Sequence, residues 1–202
     1  MKNGNYLKQI ITCAENYRQF LLDKSILFVY CEGKKIKWIE VEFRKNNFAH
    51  LTGIKTHLRP SDFFANCINH KLDINSYKTT SYTSLKLSTF TTLVHIPEIS
   101  AVIGDYNGTN TYLQLDIVVA KHQMVLGLSK GRNKFYYPKT LLKEGNHFAY
   151  MKNQNPILLT CIKNIGSIKT DYALSYANKK SDVGKIISAL PQKIKYSEKT
   201  SN

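Results

Sequence analysis

The sequence lacks any apolar run long enough to cross a membrane as a helix. Its longest, Ser25 to Cys31 and Ile157 to Ile162, fall far short of the roughly 20 residues required. Its opening residues, Met1-Lys2-Asn3-Gly4-Asn5-Tyr6, are polar and carry no apolar core of a secretory signal. Cysteine is sparse. The four present (Cys13, Cys31, Cys67 and Cys161) are widely spaced within apolar stretches, without the C-x-x-C spacing of zinc or redox sites. They read as reduced, buried thiols of a cytoplasmic protein. The six histidines form no H-x-x-x-H pair and no cluster with cysteine. The fourteen acidic residues are scattered singly, so no converging carboxylates of a two-metal nuclease are visible. Phosphate-loop, nucleophile-elbow and kinase signatures are absent too. Neither a metal nor a cofactor is expected.

Scarcity of acid leaves a large excess of base. Twenty-nine Lys and Arg oppose fourteen Asp and Glu, for a net charge of +15 and a pI near 9.6. A field of that sign draws in polyanions. A compositional taste for lysine explains part of it, but such a bias supplies glutamate as readily, and glutamate is scarce. Nucleic acid is favoured over a membrane surface, because no long amphipathic basic helix stands out. A chain of 202 residues suits one domain. That domain is expected over 1–178, followed by a lysine-rich tail over 179–202 that is either a short amphipathic helix around Val183–Leu190 or mobile.

Local patterns suggest the elements. Leu7, Ile10, Ile11, Ala14, Tyr17, Phe20 and Leu21 have the i, i+3, i+4 spacing of an amphipathic helix over Tyr6 to Lys24. Ile26 to Cys31 and Ile36 to Phe43, separated by Gly33-Lys34-Lys35, read as a β-hairpin. Asn46 to Gly53 then reads as a third extended segment. Ser61 or Asp62 is expected to cap a helix carrying Phe63, Phe64, Cys67 and Ile68, and a further helix is expected over Leu85–His95. Gly104-Asp105-Tyr106-Asn107-Gly108 and Gly131-Arg132-Asn133 read as turns. Tyr112 to Val119 pairs with Met124 to Leu128, Phe135-Tyr136-Tyr137 is a short strand, and Ile157 to Lys163 with Asp171 to Tyr176 forms a last hairpin. The order predicts an α+β fold with a mainly antiparallel sheet.

The residues available suit cleavage of RNA through its own 2′-hydroxyl. That reaction needs a base, an acid, and cations or N–H donors around the phosphorane, but no metal and no protein nucleophile. The densest suitable run is His50-Leu51-Thr52-Gly53-Ile54-Lys55-Thr56-His57-Leu58-Arg59, where two His, two cations, two Thr and a Gly fall together. Glycine there permits a positive φ or a close backbone approach to phosphate. Taken alone, the run is better accounted for as a polar connector whose histidine caps a turn.

The segment Phe43-x4-Phe48-Ala49-His50-Leu51-Thr52-Gly53-Ile54 resembles the F-x-x-x-x-F-x-H-L-T-G-[VI] signature of the phage-associated Barnase–EndoU–colicin–RelE-like nucleases, in their fourth branch. Further matches follow in order: Ser61-Asp62-Phe63-Phe64, Leu85-Lys86-Leu87, Ile103 to Asn107, Leu126-Gly127-Leu128, Tyr136 to Glu144, Pro156 to Lys163 and Tyr172 to Tyr176. The resemblance runs from about Tyr6 to Lys180. It implies N-terminal helices packed on a four- to five-stranded, mainly antiparallel sheet, and a metal-independent RNase linked to phages and mobile elements.

Carried over by position, His50 becomes the first catalytic residue, as base or acid. Thr52 and the Gly53 backbone contact phosphate, Lys55 stabilises negative charge, and Arg59 adds a cation. Tyr137, Lys139 and Thr140 form a second cluster, with Lys163 and Tyr172 in the last hairpin. One departure stands out: after Leu141-Leu142-Lys143-Glu144 an Asp-Ile-Arg continuation is expected, and Gly145-Asn146-His147 stands instead. His147 is the one residue there that could substitute. The expected partners are RNA and an immunity or antitoxin protein, in a toxin or phage–host conflict setting. Two other readings stay open: an inactive member of the fold that binds nucleic acid or a protein, such as an anti-defence inhibitor, and an enzyme acting on a small phosphorylated ligand.

Overall fold

A computed structural model of the chain describes residues 4–109, 112–131, 133–143, 147–166, 171–192 and 194–197. In chain order, helix α1 (Gly4–Phe20) leads into strands β1 (Lys24–Glu32) and β2 (Lys35–Phe43). Helix α2 (Phe48–Thr52), strand β3 (Ile54–Thr56), helix α3 (Pro60–Ile68), strand β4 (Tyr77–Thr79) and helix α4 (Thr83–Val94) follow. The rest is mostly strand: β5 (Val102–Tyr106), β6 (Ile117–Lys121), β7 (Met124–Lys130), β8 (Tyr136–Lys143), β9 (Met151–Asn164) and β10 (Tyr172–Ala177), then helix α5 (Val183–Ser188) and β11 (Tyr196–Ser197).

The expected hairpin is present, paired from Lys24↔Phe43 to Glu32↔Lys35. Its two strands differ in burial for a topological reason. On β2 the buried residues alternate (Ile39, Val41, Phe43), as on a strand with one covered face. On β1 every residue from Ser25 to Tyr30 is buried, because β1 lies between β2 and β9 and is covered on both faces.

The expectation of a four- to five-stranded antiparallel sheet under helices is overturned. Seven strands pair in a closed ring, β1-β2-β8-β7-β6-β5-β9 and back to β1, making a mixed β-barrel. The β2–β8 contact is parallel, through Val41↔Tyr136, and the other six are antiparallel. Closure depends on β9, whose first half pairs with β5 and whose second half pairs with β1. Strand β5 is where the expected turn at Gly104-Asp105-Tyr106 stood. Gly104 does not mark a bend. A Cβ there would lie 2.5 Å from the Lys152 carbonyl oxygen and 2.6 Å from Met151 Cγ, so glycine admits the close approach of β9.

Helices α1 to α4 share one core with the strands. Tyr17 sits at its centre, with the rings of Phe48, Phe64, Phe43 and Phe90 at 5.6, 5.7, 6.3 and 6.3 Å. Its hydroxyl donates to the Arg44 carbonyl at 2.9 Å. Removing such a ring costs roughly 3–5 kcal/mol. A second core on the other face of β1 and β9 contains Leu27, Val29, Leu159, Cys161 and Tyr172, and Ile186 of α5 packs into it. Asp182 caps α5 by accepting from the Lys185 N–H at 3.1 Å.

Three further local readings are corrected. Asn46 to Gly53 is not extended: it forms the end of a 3-10 turn and then α2, whose Phe48, Ala49, Leu51 and Thr52 are all buried. Helix α3 is preceded by Arg59, with Pro60 in its first turn and no side-chain cap from Ser61 or Asp62. The strand expected from Tyr112 begins at Ile117. Arg132, Glu144, Gly145, Asn146, Lys193, Lys199 and the side chain of His147 lie outside the described residues.

Candidate functional site

The signature residues fold into a helix end, and this exposes one face of the motif. Helix α2 stops at Gly53, which adopts φ +70°, a conformation glycine takes without steric cost. The Gly53 N–H donates back to the carbonyls of Ala49 and His50, and its own carbonyl accepts from Thr80 Oγ1 and Thr83 Oγ1, both at 3.0 Å. A Cβ on Gly53 would stand 2.9 Å from Lys86 Cδ. The glycine therefore serves two ends, the left-handed cap and the passage of the Lys86 stem.

Lys86 lies in the first turn of α4 and is the one charged residue of that helix. Its ammonium donates to the His50 carbonyl at 2.9 Å and to Thr140 Oγ1 at 3.0 Å. It thus joins α2, α4 and β8 at one point. Burial pushes its pKa down from 10.5 to about 8, because a partly desolvated ammonium favours its neutral form. Two of the three N–H donors of an ammonium are engaged by these contacts.

His50 itself is exposed. Partial desolvation, followed by the positive charges of Lys139 and Lys86, holds its pKa below the ordinary 6.5. Its imidazole is therefore neutral at neutral pH and able to accept a proton. Lys139 reaches this position through a bulge: the β7–β8 pairing passes from Gly127↔Thr140 to Leu128↔Pro138, which leaves Lys139 as the extra residue. Bulges of this kind re-aim a side chain. Buried Asn47 fixes the bulge to the start of α2, its Nδ2 donating to the Pro138 carbonyl at 3.2 Å while its Oδ1 accepts from the Arg44 N–H at 2.8 Å.

The fold therefore gathers His50, Gly53, Lys139 and Thr140 from the expected set and adds Lys86 and Asn47. The other expected residues are placed elsewhere. Thr52 is fully buried, its hydroxyl bonded to the carbonyls of Ala49 and Phe48 at 3.0 and 3.3 Å, within its own helix. Lys55 is exposed on β3, directly opposite Lys78 of β4. Arg59 is exposed and paired with Asp62 at 2.7 Å. Tyr137 lines a different hollow, beside Arg44, Asn47 and Gly131.

Lys163 and Tyr172 belong to a cluster at β1, β2, β9 and β10. There the Tyr172 hydroxyl donates to Glu40 and lies 3.0 Å from Ser25 Oγ, while Lys163 Nζ is 3.0 Å from Glu40 Oε1. Burial and the Glu40 carboxylate raise the Tyr172 pKa, so that phenol holds its proton. Among the described residues, no three His, Cys, Asp or Glu side chains are grouped so as to hold a metal ion.

Lys86 and Asn47 are the residues that local pattern did not single out. Lys86 carried a legible signal, as a lone cation in the apolar turn Leu85-Lys86-Leu87. Asn47 carried none in the polar run Lys45-Asn46-Asn47.

The family model described as phage-Barnase-EndoU-ColicinE5/D-RelE like nuclease4 matches residues 9–180. No curated protein and no solved structure matches the chain.

Proposed function

Because this chain belongs to the phage-Barnase-EndoU-ColicinE5/D-RelE like nuclease family, we propose that it is an endoribonuclease that cleaves RNA through the 2′-hydroxyl without a metal. One observation carries this reading: a largely desolvated lysine is held between the His50 carbonyl and the Thr140 hydroxyl, next to a histidine whose pKa is lowered by partial desolvation and by neighbouring cations.

In this reading the neutral His50 imidazole takes the 2′-hydroxyl proton. The 2′-oxygen attacks phosphorus, the bond from phosphorus to the 5′-oxygen breaks, and a 2′,3′-cyclic phosphate is left with a free 5′-hydroxyl. The Lys86 ammonium stabilises the phosphorane charge and, with a pKa of about 8, is well matched to protonate the departing 5′-oxygen. Solvent then returns both groups to their starting states. Lys139 adds positive charge beside His50, and Thr140 holds Lys86 in place. Lys55 and Lys78 face each other across β3 and β4; like charges so placed repel, and a neighbouring RNA phosphate relieves that repulsion. The net charge of +15 supplies non-specific, salt-sensitive affinity.

The phage association in the family description supports a role in phage–host conflict, with a protein inhibitor as partner. The free cysteines suit a reducing cytoplasm. Incubation with total RNA in EDTA, beside His50→Ala and Lys86→Met, tests the proposal. Cleavage by the parent protein and its loss in both variants is the expected result. Turnover that stops in EDTA and returns with Mg²⁺ or Mn²⁺ overturns the metal-free mechanism.

A further inference from the structure

Next to Lys86 and Thr140 the surface opens into a hollow of about 420 Å³. Tyr82, just before helix α4, and Leu85 and Lys86 of its first turn form one side, and strand β8 forms the other from Thr140 onward. Tyr112, Leu113 and Tyr150 complete the wall. Of the five large apolar side chains that the described residues leave exposed, three line this one hollow: Tyr82 at 61%, Leu85 at 44% and Tyr112 at 95%. Grouped exposure of this kind marks a binding surface.

The lining chemistry narrows the ligand. Aromatic faces and leucines suit a flat, uncharged ring. Among the described residues that line it, Lys86 and Lys143 are the charged members and none is a carboxylate, which suits a ring joined to something anionic. The hollow is continuous with the proposed cleavage point, because Lys86 and Thr140 belong to both. A base of single-stranded RNA has all of these properties, since each base offers a π-face and carries a phosphodiester.

We propose that this hollow is a base-binding subsite, which receives the nucleobase adjoining the phosphate held at Lys86 and stacks it against Tyr82 and Tyr112. The proposal rests on the nuclease reading and extends it. Base stacking makes single-stranded regions of RNA the substrate, because a base within a duplex does not reach the hollow.

The test separates base recognition from catalysis by measuring binding of oligomers that cannot be cleaved. Fluorescence anisotropy compares a mixed-sequence 2′-O-methyl RNA with an abasic oligomer of equal length, which keeps the phosphates and lacks the bases. The parent protein is expected to bind the RNA more tightly by at least about fivefold and up to about 100-fold. Tyr82→Ala and Tyr112→Ala should each shrink that preference while leaving affinity for the abasic oligomer unchanged, and Tyr82→Phe and Tyr112→Phe should retain it.

Equal affinity of the parent protein for the two oligomers overturns the subsite, as does an equal loss for both in the alanine variants. Unmodified RNA is incubated in parallel. Absence of cleavage there contradicts the nuclease reading, whereas the subsite stands or falls on the binding contrast alone.

Discussion

The Lys86 ammonium donates to Thr140 Oγ1 at 3.0 Å, a contact that ties α4 to β8 beside the end of α2. It brings together three segments far apart in sequence, and it holds a cation where burial disfavours its charge. A lysine kept in such a place opposes folding and favours an anionic ligand. That opposition distinguishes the catalytic reading from a purely structural one.

Lys86→Met should lower kcat for RNA cleavage by about 100- to 1,000-fold, the usual loss when a donor to developing charge is removed. The thermal midpoint should stay level or rise, because the partly buried charge is gone while the apolar stem is kept. Circular dichroism melts beside single-turnover kinetics check both parts. A melt lowered by several degrees would identify Lys86 as a structural tie.

The activity should follow a bell-shaped pH profile. His50 must be neutral to act as base, so the acidic limb falls below pH 6.5, in keeping with its lowered pKa. Lys86 must be protonated, so activity declines as the pH passes about 8. Stability changes in the opposite sense at the alkaline end. Between about pH 8 and 10.5 the folded state loses the Lys86 proton while the unfolded chain keeps it. The contribution of this group to stability therefore improves as pH rises through that window. A profile of kcat/KM and a set of denaturant titrations measure the two trends.

Lys139→Gln should raise the His50 pKa toward 6.5, since after desolvation the lysine charge is the largest cause of its depression. The imidazole proton resonances of His50, followed by NMR against pH, report this directly. Raised ionic strength should shift them in the same direction, because these charges lie near the surface and are screened.

Gly53→Ala should destabilise the fold by about 1–2 kcal/mol for the left-handed backbone alone. The added methyl meets Lys86 Cδ, so activity should fall more than stability does. Denaturant unfolding compared with kcat at a temperature where the variant is folded separates the two effects.

Asn47→Ala should cost about 1–3 kcal/mol by leaving the Arg44 N–H and the Pro138 carbonyl without their partner. It also loosens the bulge that carries Lys139. The expected kinetic signature is a lower kcat with little change in KM.

Much of the front half of the fold was legible in the sequence. The apolar spacing from Leu7 to Leu21 and the alternation on Ile36 to Phe43 are local patterns, and both elements form, although the helix ends at Phe20 and Lys24 already belongs to β1. The barrel was not legible, because its closure rests on pairs such as Lys24↔Asn164 that lie at opposite ends of the chain. Gly104 looked like a turn residue because a sequence cannot distinguish a glycine needed for bending from one needed for close strand approach. The helical form of α2 is hidden in the sequence for a similar reason: five residues carry little propensity, and the burial of Phe48 and Leu51 decides the matter. The motif drew attention to His50, but its chemical neighbours are supplied by contacts 36 and 54 residues apart through Lys86.

Product analysis tests the central claim most directly. Wild-type protein is incubated in EDTA with an RNA oligomer and with the same oligomer carrying a 2′-deoxy sugar at the cleaved position. The account predicts a 2′,3′-cyclic phosphate from the first and no cleavage at the modified position in the second. Cleavage at the deoxy position, or no cleavage of either oligomer, would contradict it.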